Sequence, residues 1–183
     1  GVASAYTFTL FELPATSTGL TYGIATGPDG NVWFTEPFAN AVGRITPSGA
    51  VTEFDIPTPA SGPLGIAAGP DGNLWFAESA VDRIGRITLS GEIAEFTIPT
   101  AGAAPRAITA GPDGNVWFTE YGNDKIGRIT PAGAITEFVS PTGDGPLAIT
   151  AGPDGNVWFA DYFGEKIGRI TPLGVITEFA TFT

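Results

Sequence analysis

The sequence contains no cysteine, no histidine and no methionine, and only eight of its 183 residues are lysine or arginine. Without cysteine there are no disulfide bonds and no thiolate chemistry. Without histidine the chain lacks the commonest general base and the commonest metal ligand. The net charge of −11 argues against nucleic acid or an anionic membrane as a partner, because both attract basic surfaces. We therefore expect no nucleic-acid partner and no membrane partner.

Long hydrophobic runs are missing as well, since no stretch approaches the roughly 20 apolar residues of a membrane-spanning helix. No window has the 3.6-residue apolar period of a helix, and the 26 glycines and 16 prolines would interrupt one. With 43% hydrophobic and 15% charged residues, the composition is that of a folded domain. The small residues Val2–Ala5 resemble the end of an export signal. This favours secretion, although a chance match explains them equally well.

A five-residue sequence, GPDGN, recurs four times, with spacings of 42, 42 and 41 residues, at 27–31, 69–73, 111–115 and 152–156. Each copy is followed by an apolar segment containing Trp-Phe, then by IGRIT or a near copy, a glycine turn and a segment ending in Glu-Phe. A fixed period of this length indicates repeat architecture. We predict a single domain over residues 1–183, with repeats at approximately 21–62, 63–104, 105–145 and 146–183.

Each repeat is predicted to form four antiparallel strands, a to d, with Gly-Pro-Asp-Gly as the tight turn between a and b. Strand b is apolar at consecutive positions, which is typical of a strand buried on both sides. Four strands in about 42 residues, apolar on both faces, indicate the blade of an all-β propeller, whose faces are buried only by neighbouring blades. The tryptophans of strand b are predicted to fill the space between blades: Trp33, Trp75, Trp117 and Trp158. A parallel β-solenoid is the alternative.

With these GPDGN-[VL]-WF-[TA]-[ED], IGRIT-like and ITEF-like motifs, residues 7–182 resemble the streptogramin (virginiamycin B) lyase family, which is related to NHL-type propellers. The resemblance implies a seven-bladed propeller. It also implies an enzyme that opens the ester of a cyclic depsipeptide antibiotic by elimination, using Mg²⁺, a catalytic histidine and acidic residues. This chain departs from the family pattern, because it has four repeats and no histidine. The lyase chemistry is therefore carried over to none of its residues.

Four repeats leave the closure of the ring open. We favour a homodimer whose two chains complete an eight-bladed ring, with a four-bladed monomer or a fragment closed in another way as alternatives. Residues 7–14 resemble strand d of the first repeat, so the chain begins with an orphan outer strand. Either that segment or residues 175–182 is expected to close the last blade.

Candidate ligand-binding residues lie where the repeats differ. The loops between strands b and c vary, whereas the opposite turns are almost identical, so the variable face is the predicted binding surface for a small molecule or carbohydrate. Strand b ends in a carboxylate in every repeat, at Glu36, Glu78, Glu120 and Asp161. Such a ring could bind a cation or a polyhydroxylated ligand. Alternatively, these groups are solvated strand ends or pair with a neighbouring backbone or basic group.

Arg106 breaks the repeat, because its counterparts are Tyr22, Leu64 and Leu147. It is predicted to lie near the mouth of the channel, with Tyr22, Tyr121 and Tyr162 as aromatic neighbours. The repeated arginines of strand c are predicted to form charge pairs with the glutamates of strand d: Arg44, Arg86, Arg128 and Arg169 with Glu53, Glu95, Glu137 and Glu178.

No nucleophile–base arrangement is visible in the sequence. We therefore predict a non-catalytic structural or ligand-binding module, with no catalytic residue, no metal site and no cofactor. The alternative is a Mg²⁺-dependent lyase in which one of the strand-b carboxylates replaces the missing histidine base, after burial has raised its pKa towards neutrality.

Overall fold

The computed structural model describes residues 9–11, 20–141, 143 and 145–181, which form 16 strands in four antiparallel sheets. The first two sheets contain β1 (Ile24–Thr26), β2 (Val32–Glu36), β3 (Ala41–Ile45), β4 (Val51–Asp55), β5 (Pro63–Ala68), β6 (Leu74–Glu78), β7 (Arg83–Ile87) and β8 (Ile93–Thr97). The other two contain β9 (Pro105–Ala110), β10 (Val116–Glu120), β11 (Lys125–Ile129), β12 (Ile135–Val139), β13 (Pro146–Ala151), β14 (Val157–Asp161), β15 (Lys166–Ile170) and β16 (Ile176–Ala180). Among these residues there is no helix that could cross a membrane.

Each sheet pairs its four strands in chain order, so every connection within a sheet is a hairpin. At the first hairpin Gly30 has a φ of 74°, which glycine adopts without strain. Asp29 in the same turn accepts a hydrogen bond of 3.1 Å from Nε1 of Trp33. Burial alone would raise the pKa of Asp29, but hydrogen bonds from Asn31 and Trp33 outweigh it and lower the pKa. The GPDGN sequence thus forms the turn and also anchors the tryptophan.

Neighbouring sheets pack face to face, and their inner strands β1, β5, β9 and β13 contact one another in chain order. The side of a sheet that carries the tryptophan, here called the Trp face, covers the next sheet. Trp33 and Val42 of the first sheet pack against Leu74, Phe76 and Ile87 of the second. The side that carries these latter residues is called the Phe face. The two faces alternate because successive side chains of a strand point in opposite directions.

The all-β propeller architecture is therefore confirmed, and so is the role of three tryptophans, since Trp33, Trp75 and Trp117 are fully buried between consecutive blades. Trp158, in the last described sheet, is only partly buried. Small residues of the inner strands allow the blades to approach closely near the axis. At Gly65 a Cβ atom would lie 2.5 Å from the carbonyl oxygen of Arg106 in the next blade. In the last three repeats strand a begins at a proline, at Pro63, Pro105 and Pro146.

The fourth blade is completed by β16, which pairs with β15 along its whole length. Most of the predicted orphan strand 7–14 lies outside the described residues, and the described residues 9–11 are not part of a sheet. Phe11 nevertheless packs against Gly49 in the first blade. The strand-d phenylalanine of each of the first three blades makes the equivalent contact with a glycine of the next blade: Phe54 with Gly91, Phe96 with Gly133 and Phe138 with Gly174.

Candidate functional site

The candidate residues lie at one edge of the blades, where strand b ends and strand a begins. Glu78 is opposite Pro63, Glu120 is opposite Pro105, and Asp161 is opposite Pro146. The b–c loops and the loops that enter strand a meet at the same edge. The GPDG turns lie at the other end of each hairpin, so the variable residues share one face of the molecule.

The loops of the variable face are held by a polar residue at the end of each b–c loop. Asn40, Asp82 and Asp124 all have positive φ values, between 54° and 56°. Asp82 accepts hydrogen bonds from the backbone of Gly102 and Ala104 at 2.7 and 3.0 Å. Asn40 and Asp124 accept equivalent bonds from Ser61 and Gly145 at 2.7 and 2.9 Å. These acidic and amide groups therefore hold the loops in place.

The four strand-b carboxylates are buried. Their residues are between 0% and 5% exposed: Glu36, Glu78, Glu120 and Asp161. The interpretation of these groups as solvated strand ends is therefore wrong. Glu78, Glu120 and Asp161 share a sheet side with the buried Phe side chains two residues earlier, so they lie at the interface with the preceding blade and do not line the axis.

In the last three blades the carboxylate lies beside a second glutamate and a basic residue. The basic residue begins strand c and forms an ion pair with the glutamate of strand d: Arg83–Glu95 at 3.5 Å, Lys125–Glu137 at 3.1 Å and Lys166–Glu178 at 3.4 Å. Each cluster also binds a hydroxyl group of the preceding blade. Arg83 donates to Thr58 and Lys125 donates to Thr100. In the last blade the hydroxyl of Ser140 donates to Glu178. Each cluster therefore joins two neighbouring blades.

The pKa of Glu120 is raised to about 8, mainly by burial and also by the negative charge and hydrogen bonding of Glu137, against the opposing effect of Lys125. The pKa of Glu78 is also raised to about 8, again mainly by burial, with Glu95 as the neighbouring carboxyl group. Burial would also raise the pKa of Glu137, but hydrogen bonds from Thr100 and Lys125 lower it. Glu120 is consequently protonated at neutral pH and lies against an ionised partner.

The predicted pairing of strand-c arginines with strand-d glutamates is wrong. Glu53 is opposite Gly43, one residue from Arg44, so the two side chains point to opposite sides of the sheet. Arg44 instead lies 5.4 Å from the ring centre of Trp33 and 5.5 Å from that of Phe54. These arginines donate across the blade interface to backbone carbonyls, Arg44 to Leu89 at 2.9 Å, Arg86 to Pro131 at 2.8 Å and Arg128 to Pro172 at 2.8 Å.

A recess of about 310 Å³ lies on the axial side of the inner strands. Its lining includes Tyr22, Ile66, Arg106, Ile108 and Leu147, and Arg106 is the one charged residue among the described residues that line it. The guanidinium carbon of Arg106 lies 4.1 Å from the ring centre of Tyr121. Its Nε is buried and has no hydrogen-bond partner within the described part of the chain.

The structure brings two of the three predicted aromatic neighbours of Arg106 to it and separates the third. Tyr22 lines the recess and Tyr121 holds Arg106, whereas Tyr162 packs edge-on against Phe163, with ring centres 4.9 Å apart. Phe163 in turn lies 6.3 Å from Tyr121. Phe163 was not selected in the sequence analysis. A signal for it was present, because two other b–c loops have the small residues Ala80 and Gly122 at the same position.

The polar and aromatic groups that the described structure gathers at this edge are Arg106, Tyr22, Tyr121 and Phe163. Arg106 supplies hydrogen-bond donors, and the tyrosines and Phe163 supply aromatic surface. Among residues 9–11, 20–141, 143 and 145–181 no group of three or more acidic side chains is arranged to hold a metal ion.

Comparison with known proteins identifies the family. The model of the virginiamycin B lyase family matches residues 2–183. A solved streptogramin B lyase is 42% identical with a TM-score of 0.92, over 97% of this chain and 59% of its own. A catalytically inactive histidine-to-alanine variant of the Staphylococcus aureus virginiamycin B lyase, solved with quinupristin, is 48% identical with a TM-score of 0.91, over 94% of this chain and 59% of its own.

A curated virginiamycin B lyase from Bordetella parapertussis is 53% identical over 36 residues, which are 20% of this chain and 12% of that protein. The chain belongs to the virginiamycin B lyase family, and it spans 59% of the length of the two solved lyases. In a chain of seven equal blades, four blades would occupy about 57% of the length. The 59% of the solved lyases that this chain covers therefore agrees with the seven blades that the resemblance implies for the family.

Proposed function

We propose that this member of the virginiamycin B lyase family is a non-catalytic β-propeller module that binds a small cyclic peptide in the recess around Arg106. The observation that carries the proposal is the position of Arg106, held 4.1 Å from the ring centre of Tyr121 on the axial side of the variable face. A guanidinium stacked on a ring keeps its outer N–H groups directed away from that ring, where they can bind carbonyl oxygens of a ligand.

The departure of Arg106 from the repeat supports a role in binding. The counterparts at this position are Tyr22, Leu64 and Leu147, so the blade itself does not need a charged residue there. An arginine that the fold does not require, placed in a recess with otherwise apolar walls, favours ligand recognition over structure. Quinupristin is the first ligand to test, because the inactive Staphylococcus aureus lyase was solved with it.

Two observations support the absence of catalysis by this chain alone. The sequence has no histidine, and the Staphylococcus aureus relative is catalytically inactive as a histidine-to-alanine variant. That variant was nevertheless solved with quinupristin, so loss of the imidazole is compatible with binding in the family.

Isothermal titration of the 183-residue chain with quinupristin tests the proposal. Arg106→Leu is the informative variant, because leucine is the residue at this position in two other repeats and preserves the fold. We expect a loss of affinity of about tenfold or more, since a charge-assisted hydrogen bond contributes about 1.5–3 kcal/mol. Phe38→Ala, at an exposed residue of the same face outside the recess, is the control. Equal affinity of Arg106→Leu and the unaltered chain would overturn the proposal.

The second candidate is a lyase with a carboxylate base, and the raised pKa of Glu120, about 8, favours it. Against it, Glu120 is fully buried at a blade interface, where a substrate in the recess does not reach it. An elimination product has the same mass as the intact ring, so the assay is chromatographic separation after incubation with MgCl₂. Ring opening that disappears in Glu120→Gln would favour the lyase, and an unchanged elution profile favours the binding module.

A further inference from the structure

Each blade has the same Asp-Gly pair in its first hairpin turn. The four pairs begin at Asp29, Asp71, Asp113 and Asp154. Aspartate rearranges readily before glycine, because glycine has no side chain to hinder attack by its own backbone nitrogen on the carboxyl group. Proline precedes and asparagine follows the pair in all four copies, so the intrinsic rates of the four pairs in an unfolded chain are expected to be nearly equal. Any difference between the folded pairs therefore comes from the structure around them.

At Asp71 this rearrangement takes two steps. The nitrogen of Gly72 forms a bond to Cγ of the neutral carboxyl group, and the amide proton leaves with the carboxyl hydroxyl as water. Water then adds to the main-chain carbonyl carbon of the cyclic imide, and the bond between that carbon and the Gly72 nitrogen breaks. The chain now continues through Cγ as isoaspartate, which has the same mass as aspartate. Water is lost and regained, and no other reactant is needed.

The folded turn restrains both reacting groups. Oδ1 of Asp71 accepts hydrogen bonds from Nε1 of Trp75 at 2.9 Å and from the backbone N–H of Asn73 at 3.3 Å. Oδ2 accepts a third bond, from Nδ2 of Asn73 at 2.8 Å. The attacking nitrogen, that of Gly72, donates to the carbonyl of Gly69 at 3.3 Å. Ring closure requires the carboxyl group to leave its donors and turn towards this nitrogen, so the reaction depends on local opening of the turn.

The hydrogen bonds also keep the carboxyl group in its unreactive form. Burial alone would raise the pKa of Asp71, but hydrogen bonds from Trp75 and Asn73 outweigh it and lower the pKa. An ionised carboxylate has no hydroxyl to lose as water. Of the two side chains that donate to this carboxylate, Trp75 is the one that is completely buried, because the following blade covers it. The protection of Asp71 is therefore coupled to the blade interface through the indole.

We propose that the Asp-Gly pairs are modification sites at which isoaspartate forms, and that the indole N–H of each turn controls the reaction at its own pair. The consequence for the blade follows from the geometry. Isoaspartate adds one carbon atom to the main chain of a turn that is closed by a hydrogen bond of 2.8 Å from the N–H of Gly69 to the carbonyl of Asn73. It also moves the carboxylate that accepts the bond from Trp75. Modification of a turn therefore detaches its tryptophan.

Peptide mapping of the 183-residue chain after storage at mildly acidic pH tests the proposal. Trypsin cleaves after lysine and arginine and so places the four pairs in four different peptides. Electron-transfer fragmentation distinguishes isoaspartate from aspartate in each peptide. We expect isoaspartate at Asp71 to form at least about tenfold more slowly in the folded chain than in the chain unfolded in urea. Equal rates in the two states are incompatible with the proposal.

Trp75→Phe tests the role of the indole, because phenylalanine keeps an aromatic ring but has no N–H. It is expected to increase the rate at Asp71 about tenfold, since it removes a hydrogen bond to a charged group. Asp113 is the control within the same molecule, because its bond from Trp117, also 2.9 Å long, is unchanged. Each rate is divided by the rate of the same variant in urea, and circular dichroism checks that the variant folds.

Trp117→Phe provides the reciprocal measurement. In this variant the rate is expected to rise about tenfold at Asp113 and to stay unchanged at Asp71. An equal rise at both aspartates in either variant means that the blades have opened as a whole, and this result contradicts control by the individual indole. An unchanged rate at Asp71 in Trp75→Phe also contradicts it.

Discussion

The burial of the tryptophans between blades can be measured with a matched pair of substitutions, Trp75→Ala and Trp158→Ala. The two side chains have the same local partners. Nε1 donates to Asp71 at 2.9 Å in one case and to Asp154 at 3.0 Å in the other. Both indoles stack on a strand-d phenylalanine with ring centres 5.6 Å apart. They differ in that the following blade covers Trp75 completely, whereas no sheet among the described residues follows the one that carries Trp158.

The magnitudes follow from this difference. Replacing a fully buried tryptophan by alanine costs about 3–5 kcal/mol, which we expect for Trp75. Trp158 makes the contacts of its own blade only, so we expect about half of that cost, a difference of about 2 kcal/mol. The hydrogen bond and the ring stacking are lost in both variants and cancel in the comparison.

Urea unfolding followed by far-ultraviolet circular dichroism gives both values, at a protein concentration where light scattering shows a monomer. Monomeric conditions are needed because any contact between molecules on this blade would also cover Trp158. Equal costs for the two substitutions would refute the argument that blades are stabilised by the neighbours that cover them.

Three further predictions concern interfaces and turns. Glu120→Gln should stabilise the chain at pH 8 and flatten the fall in its free energy of unfolding between about pH 4.5 and 8. In this range the folded state, in which the pKa of Glu120 is raised, holds a proton that the unfolded state has lost. Urea unfolding at a series of pH values checks this, with Glu92→Gln at an exposed residue as the control. Gly85→Ala should cost about 1–3 kcal/mol in thermal unfolding, since its Cβ would lie 2.1 Å from the Phe76 ring, and Phe76→Leu in the same chain should recover part of the loss. Asp71→Asn should cost about 1–3 kcal/mol at pH 7, and a loss that persists unchanged below pH 3 would contradict the role of its ionised carboxylate.

The sheets could be predicted from the sequence because their signals are local. A Pro-Asp-Gly turn and consecutive apolar residues such as Trp33 and Phe34 determine a hairpin and its two buried sides without reference to distant residues. The repetition of these signals every forty-odd residues then indicates the arrangement of the blades.

The contacts of the charged residues could not be predicted in the same way. Whether Arg44 reaches Glu53 depends on a register that differs by one residue, and the structure places Gly43 opposite that glutamate. The carbonyl that Arg44 binds belongs to Leu89, 45 residues away in the next blade. Likewise, Lys125 beside Glu120 donates a hydrogen bond to Thr100 of the preceding blade, a contact that no local pattern contains.

The position of the candidate site was partly accessible from the sequence. Arg106 stands out because the repeat supplies its own comparison, with leucine at positions 64 and 147. The stacking of its guanidinium on Tyr121 requires the geometry of the inner strand beside the b–c loop. The separation of Tyr162 from Arg106, with Phe163 between it and Tyr121, follows from the packing of the loop of the fourth blade.

The most direct test of the account is nuclear magnetic resonance of the ¹⁵N-labelled chain during titration with quinupristin. Binding in the recess predicts saturable shifts of backbone amides at residues 22–24, 65–66, 106–108 and 147–148, which line it, and quinupristin recovered afterwards with an unchanged chromatographic profile. Shifts confined to the GPDG turns, no saturable shift, or recovery of an opened ring would contradict a non-catalytic binding site at Arg106.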